Sequence, residues 1–177
     1  MRKLQNSELN RLTPEEFTKI EKIPCVVVLD NVRSLNNIGS VFRTCDAFLV
    51  EEIFLCGITA TPPHRDIHKT ALGATETVKW QYFEDTLLAV ESVKTKGYKI
   101  FAIEQVDDSI SLADFEDLPH EKIALVFGHE INGVSENIVK IADGSIEIPQ
   151  QGTKHSLNIS VCAGIVLWEV FKKSLKR

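Results

Sequence analysis

Residues 25–48, "CVVVLDNVRSLNNIGSVFRTCDAF", join an apolar run to a helical pattern across a short polar turn. Cys25 to Leu29 form a mostly β-branched stretch of strand length, apolar on both faces, as the buried middle of a parallel sheet requires. Beyond the turn, Ile38, Val41, Phe42, Cys45 and Phe48 or Leu49 recur at helical spacing and leave Ser40, Arg43, Thr44 and Ala47 on the other side. Asn36 or Asn37 is placed to cap this helix, and Gly39 gives another backbone room against its first turn. A strand feeding a helix in this way is the repeating half of an α/β fold.

The pattern continues in both directions. Upstream, "LTPEEFTKIEK" has Thr13 as N-cap, Pro14 at the first helical position and two glutamates in the first turn, so a short helix starts there and stops before Pro24. Downstream, strands are expected at 52–56 ("EIFLC"), 99–104 ("KIFAIE"), 122–127 ("KIALVF") and 145–149 ("SIEIP"). Helices are expected at 85–96, 134–142 and 157–172; "KTALGATETVKW" reads as irregular or briefly helical, and 104–121 as an acidic surface helix or loop. Strands alternating with helices give an α/β class with a mainly parallel sheet and helices on both faces.

With 177 residues and no Pro/Gly/Ser-rich or charged linker, the chain is expected to form one domain, 23–177, after an N-terminal helical extension, 1–22. The opening residues lack the apolar core of a signal peptide, and no apolar stretch reaches membrane-spanning length. Cys25, Cys45, Cys56 and Cys162 lie far apart without a CxxC pair, which fits buried thiols in a reducing cytoplasm. The net charge of −5 argues against a protein held to nucleic acid by its overall field, but His64, Arg65, His68 and Lys69 cluster around one loop and the tail "KKSLKR" is purely basic, so local patches are compatible with it. Read alone, such charge runs are also compatible with solvated faces.

Ligands of open α/β sheets gather beyond the carboxyl ends of the strands. Three stretches meet that description: "DNVRSLNNIGSVFR" after the first strand, "GHEINGVS" after "ALVF", and "PQQGTKHSLN" after "IEI". A helix cap with a surface arginine, a pair of turn glycines (Gly128 and Gly133) around Glu130, and Ser156 as an N-cap are the purely structural readings of the three. Ser156 as a cap leaves Asn158 and the glycine loop ahead of it unexplained. No GxGxxG follows a strand and no GxxxxGK[ST] occurs, so neither a Rossmann dinucleotide site nor a P-loop is supported. His64 and His68 stand four apart, but Pro62 and Pro63 and the lack of a nearby glutamate speak against a metal site.

Taken together, the three stretches resemble the motifs of the SpoU/TrmH-type RNA 2′-O-ribose methyltransferases of the SPOUT superfamily. The likeness rests on Asn37, Gly39 and Arg43 in "NNIGSVFRTCDAF", on "LVFGHEINGVS", and on "IEIPQQGTKHSLNISVCAGIVLWE", in family order over about residues 24–171. "KTALGA" is similar to a stretch these enzymes carry between the first and second motifs. The resemblance implies a trefoil knot near the C-terminus, with Gly152 giving freedom to thread, and S-adenosylmethionine as cofactor. It also implies a homodimer whose site draws on both subunits, and no metal. By position, cofactor contacts fall to Ile103, Glu104, Gly128, Ile148, Ser156 and Leu157. The catalytic set is Asn37, Arg43, Glu130, Ser156 and Asn158.

The implied reaction moves a methyl group from a sulfonium to a ribose 2′-oxygen of a structured RNA, tRNA or rRNA, in the cytoplasm. An arginine is a poor base, since its guanidinium stays protonated in proteins. Arg43 is therefore expected to bind a phosphate or stabilise the developing alkoxide, with Asn37 orienting it and Ser156 or water relaying the proton. With no long N-terminal extension, RNA capture falls to Arg33, His64, Arg65, Lys69, Lys154 and the basic tail. Two other functions fit the same motifs: a knotted RNA-binding or assembly protein without catalysis, and a methyltransferase directed at a base.

Overall fold

The structure, a computed structural model, describes residues 1–115 and 121–175. Residues 116–120 of the acidic stretch and the last two of the basic tail lie outside the described residues. Among the described residues seven strands form one sheet in the order β3-β2-β1-β6-β4-β7-β5: β1 Ile23–Asp30, β2 Val50–Cys56, β3 Lys79–Phe83, β4 Lys99–Ile103, β5 Ile110–Ser111, β6 Ile123–Phe127 and β7 Gly144–Glu147. Every pairing is parallel. The expected α/β class with a parallel sheet is what the chain adopts.

The alternation within β1 divides the core between the two faces of the sheet. Cys25, Val27 and Leu29 point into a cluster with Ile38, Val41, Phe42 and Cys45 of α2 (Leu35–Ala47) and Ile159, Ala163, Val166 and Leu167 of α7 (Ile159–Ser174). Val26 and Val28 point the other way, onto Ala89, Val90 and Val93 of α5 (Thr86–Lys94) and Ile138 of α6 (Glu136–Ile141). Because successive side chains of a strand face opposite sides, only a strand covered on both can be apolar at every position. Helix α1 (Pro14–Lys19) starts at the expected N-cap Thr13, which also forms a capping box with Glu16, and adds Phe17 to the first cluster.

Two strands were not foreseen, and both are edges. β3 replaces the irregular or helical end of "KTALGATETVKW", and β5 falls inside the acidic stretch read as helix or loop. Edge strands keep one hydrogen-bonding side and much of their side-chain surface in water, so neither carries the apolar run that betrays an inner strand. The rest of "KTALGATETVKW" is indeed helical, in the end of α3 (Arg65–Ala71) and in α4 (Ala74–Thr77). His64, expected in a loop, caps α3 through its imidazole, which accepts from the Asp66 amide.

Two helix starts differ from expectation. Ser34, not Asn36 or Asn37, caps α2, its hydroxyl accepting from the Asn37 amide at 3.3 Å. Asn158, not Ser156, caps α7: its Oδ1 accepts from the Ser160 amide at 2.9 Å and from the Ser160 hydroxyl at 2.7 Å. Asn and Ser are near-equal N-caps, so the choice falls to tertiary context rather than propensity. Gly39 does what was expected of it, since a Cβ there would overlap Thr70 Oγ1 and the Ile67 carbonyl of α3. Gly152 does not: it lies in open space without a left-handed φ, so nothing in its surroundings demands a glycine.

Candidate active site

The loops leaving β4, β6 and β7 at their carboxyl ends enclose a cleft of about 650 Å³. Ile103, Glu104, Gly128, Ile148, Ser156 and Leu157 all line it, together with Phe127, Ile146 and Cys162. Backbone closeness shapes its rim. A Cβ on Gly128 would overlap the Gly133 carbonyl and the Val134 amide, and Gly133 itself holds a left-handed φ of 67° with the Glu104 carboxylate against it. Glu104 accepts from the Val134 amide at 2.9 Å and the Gln105 amide at 3.0 Å, and Gln105 in turn donates to the His155 carbonyl at 3.4 Å. One carboxylate thus joins the β4 and β6 loops, and its neighbour reaches the β7 loop.

Within the β6 loop, His129 accepts through Nδ1 from the Ile131 amide at 3.0 Å and the Asn132 amide at 3.4 Å, while its backbone pairs both ways with Gly133. Sequence reasoning missed this residue, because a histidine between Gly128 and Glu130 signals no turn by itself. Cys162 lies at the cleft floor, and burial, with the Glu104 charge adding to it, pushes its thiol up to about 11. Held protonated, it is a weak nucleophile beside whatever occupies the cleft.

At the mouth, three residues from three distant segments meet. Glu130 Oε1 accepts from the Ser34 amide at 2.8 Å and from Asn37 Nδ2 at 3.2 Å, and Oε2 accepts from the Arg33 amide at 3.1 Å. Asn37 Oδ1 accepts from Asn158 Nδ2 at 3.2 Å. Burial pushes the Glu130 carboxyl up, but the N–H groups of Ser34, Arg33 and Asn37 outweigh it and hold the group below its ordinary range. A carboxylate that accepts several N–H bonds is stabilised in its charged form. Asn37 is nearly buried, so its amide is oriented by Glu130 on one side and Asn158 on the other.

The remaining candidates are placed as follows. Ser156 is exposed in the β7 loop and lines the cleft. Arg43 is exposed on α2, with no side-chain partner among the described residues and no place in the lining of this chain's cleft. Arg33 and Lys154 are exposed on the loops that border the mouth. Arg65 and Lys69 lie on α3 and His64 caps it; the helix packs on the first turn of α2, where the Thr70 hydroxyl donates to the Asn36 carbonyl at 3.1 Å. The structure therefore gathers Glu130, Ser156 and Asn158 around one opening, holds the buried Asn37 against Glu130 and Asn158, puts the basic candidates in two groups on neighbouring segments, and leaves Arg43 outside this chain's cleft.

Comparison with known proteins places the chain. The SpoU rRNA Methylase family model matches residues 24–168. A tRNA (guanosine(18)-2′-O)-methyltransferase of Thermus thermophilus is 32% identical over 173 residues, covering 97% of this chain and 87% of that protein. The enzyme of the same description from Aquifex aeolicus is 35% identical over 149 residues, 81% of this chain and 67% of that one. Among solved structures, an A. aeolicus TrmH/SpoU tRNA modifying enzyme superposes with a TM-score of 0.80 at 29% identity, over 92% of this chain and 81% of that one. The fold alone extends to an AdoMet-bound rRNA methyltransferase of Sinorhizobium meliloti, with a TM-score of 0.78 at 24% identity over 92% and 61% of the two chains. Matched by the family model across all three site loops and by relatives over 97% and 81% of its length, this chain belongs to the SpoU rRNA methylase family.

Proposed function

We propose that the chain methylates a ribose 2′-hydroxyl of a structured RNA, tRNA or rRNA, using S-adenosylmethionine, as a homodimer whose site draws on both subunits. One observation carries the reading: the Asn37–Glu130–Asn158 contact brings the three motif loops together at the mouth of a cleft suited to the cofactor. A volume of about 650 Å³ falls within the roughly 300–1,000 Å³ of small-molecule sites. Ile103, Ile148 and Leu157 offer apolar walls, and Glu104 and the main chain at Gly128 offer polar anchors. S-adenosylmethionine supplies a methyl group on a positively charged sulfur, a leaving group that needs no metal to activate it.

The chain's own residues then have three tasks. Glu130 and Asn158 hold Asn37, whose amide is placed to orient the incoming ribose. Ser156, at the edge of the cleft, is positioned to take or relay the hydroxyl proton. Arg43, permanently charged, stabilises the oxygen or binds the neighbouring phosphate. Since Arg43 does not line its own cleft, we assign it to the cleft of the second subunit. The α7 face supports such a dimer: Val161, Ile165 and Trp168 form a stripe at helical spacing, exposed by 51%, 37% and 44%. Replacing Ile165 with Glu is expected to turn a dimer into a monomer by sedimentation equilibrium and to abolish methylation; a wild-type monomer of full activity defeats the shared site.

We also assign the family's C-terminal trefoil knot to this chain. β7 lies between β4 and β5, and the following loop returns to the β4 loop at the Gln105–His155 contact, which supports threading there. Arg33, Lys154 and the α3 residues His64, Arg65 and Lys69 are the proposed phosphate contacts. No helix among the described residues is long and apolar enough to cross a membrane, and we place the activity in the cytoplasm, where its RNA resides. The deciding experiment is nucleoside analysis of tRNA and rRNA incubated with methyl-labelled cofactor. Label in a 2′-O-methylnucleoside is expected; label in a base, or none, overturns the reading in favour of a base-directed enzyme or a non-catalytic binder.

A further inference from the structure

The Asp30 carboxylate, fully buried at the carboxyl end of β1, has no part in the machinery described so far. Its Oδ1 accepts from the Thr86 hydroxyl at 2.6 Å and from Asn31 Nδ2 at 2.8 Å, and its Oδ2 accepts from the Ser135 amide at 2.8 Å. These donors belong to three segments: the first residue of α5, the turn after β1, and the far end of the loop that carries Glu130. A buried carboxylate is tolerated only with such partners, and the chain has supplied them at the one point where both site loops begin or end.

The turn after β1 is fixed from its other side as well. Asn31 holds a left-handed φ of 57° while its Oδ1 accepts from the Ile58 amide at 3.2 Å. The buried Thr59 hydroxyl accepts from the Val32 amide at 2.9 Å and donates to the Leu29 carbonyl at 3.1 Å. Immediately beyond are the Arg33 and Ser34 amides that bind Glu130. The main chain therefore closes a ring: from Asp30 to Ser34, across to Glu130, along the loop to Ser135, and back to Asp30.

We propose that Asp30 is a positioning residue for the transfer step, fixing the Glu130 loop against the Arg33–Ser34 turn so that Asn37 keeps its place at the mouth. Glu104 holds the adjacent Val134 amide of the same loop, but it lies in the cleft wall and acts on the cofactor side. The two carboxylates divide the work, one serving the bound donor and the other the acceptor end. This inference rests on the RNA methyltransferase reading above.

Asp30→Asn keeps the shape and replaces one acceptor by a donor. If the amide faces Ser135, two N–H groups confront each other; if it faces the other way, it meets Asn31 Nδ2, although the Thr86 hydroxyl can rotate to accept. Misplacement of a site by about 1 Å can cost about 100-fold in rate, so a loss of at least about tenfold in kcat is expected. The KM for S-adenosylmethionine is expected to stay within about twofold, since the Glu104 carboxylate still holds the Val134 amide of the loop and, among the described residues, the β4 and β7 walls make no hydrogen bond to Asp30. Amide exchange at Ser135, Arg33 and Ser34 is expected to quicken while that of Val27 in β1 does not. Unchanged kcat, unchanged exchange at these amides, or cofactor affinity falling in step with kcat overturns the proposal. Should Asp30→Asn fail to fold, Thr86→Val removes one donor at constant shape; a several-fold fall in kcat with faster Ser135 exchange supports the role, and wild-type values for either refute it. Exchange is read without RNA or cofactor, so a wild-type chain that methylates nothing defeats the functional reading separately.

Discussion

Replacing Arg43 with lysine is expected to lower kcat for RNA methylation by about 10²- to 10³-fold, the cost of losing one well-placed donor to a developing oxyanion, and to leave the Kd for S-adenosylmethionine within about twofold. The charge survives the substitution but the planar, two-pronged donor does not. Cofactor binding is expected to be spared because the proposed cofactor walls, Ile103, Glu104, Gly128, Ile148 and Leu157, all belong to the chain that forms the cleft. Wild-type turnover in the Arg43→Lys chain would mean that a bare positive charge suffices or that Arg43 lies outside the reaction. A mixing experiment separates the two places where Arg43 could act. In a mixed dimer of Arg43→Ala and Glu130→Ala chains, one cleft has an intact Glu130 and faces an intact Arg43, so two inactive proteins together regain activity if the arginine serves the other subunit. No recovery, with mixed dimers demonstrated, puts Arg43 to work in its own chain or nowhere.

The inner sheet was legible because burial on both faces leaves an unmistakable record. The buried stretches of β1, β2, β4 and β6, residues 25–29, 53–56, 100–102 and 123–127, are runs of Val, Ile, Leu, Phe, Ala and Cys, and the amphipathic spacing of α2 follows from the sheet it covers. The edges were illegible for the opposite reason: β3 and β5 owe their existence to a neighbour's hydrogen bonds, and their residues face water too often to show a period. Helix starts slipped by two or three residues where several cap-forming side chains stand close together, as Ser34, Asn36 and Asn37 do, and Ser156 and Asn158. The site posed a different difficulty. Asn37 lies 93 residues from Glu130 and 121 from Asn158, so no local pattern reports that they touch. Motif resemblance named the residues; only the fold supplies the contact. The Asp30 ring escaped notice because an aspartate ending an apolar strand looks like the first residue of a turn.

Glu130→Gln is expected to lower kcat by about 10²-fold with the side chain's volume unchanged, since a shift of about 1 Å in the residues it holds costs that much. The carboxylate gives Oε1 to the Ser34 amide and Asn37 and Oε2 to the Arg33 amide. Glutamine has a single acceptor oxygen, so in either orientation its NH₂ group confronts a donor. If it faces Arg33, the turn shifts; if it faces Ser34 and Asn37, the Asn37 amide loses its orientation and Asn158 follows. The pH dependence distinguishes this holding role from proton transfer. The folded-state pKa of Glu130 is depressed, so its contribution is complete above the unfolded-state value and is lost only as pH falls through the folded value. Both lie well below neutrality, and the factor separating wild type from Glu130→Gln is therefore the same at about pH 6 and about pH 8. A factor that shrinks toward pH 6 would identify Glu130 as a base titrating near neutrality, the behaviour a general base tuned to its working pH displays. Its hydrogen bonds oppose that tuning, because every donor that holds the loop together also stabilises the charged carboxylate and makes it a weaker base. The same bonds that make Glu130 a firm anchor thus argue against it as the base of the proposed reaction and favour the proposal that Ser156 or solvent takes the proton.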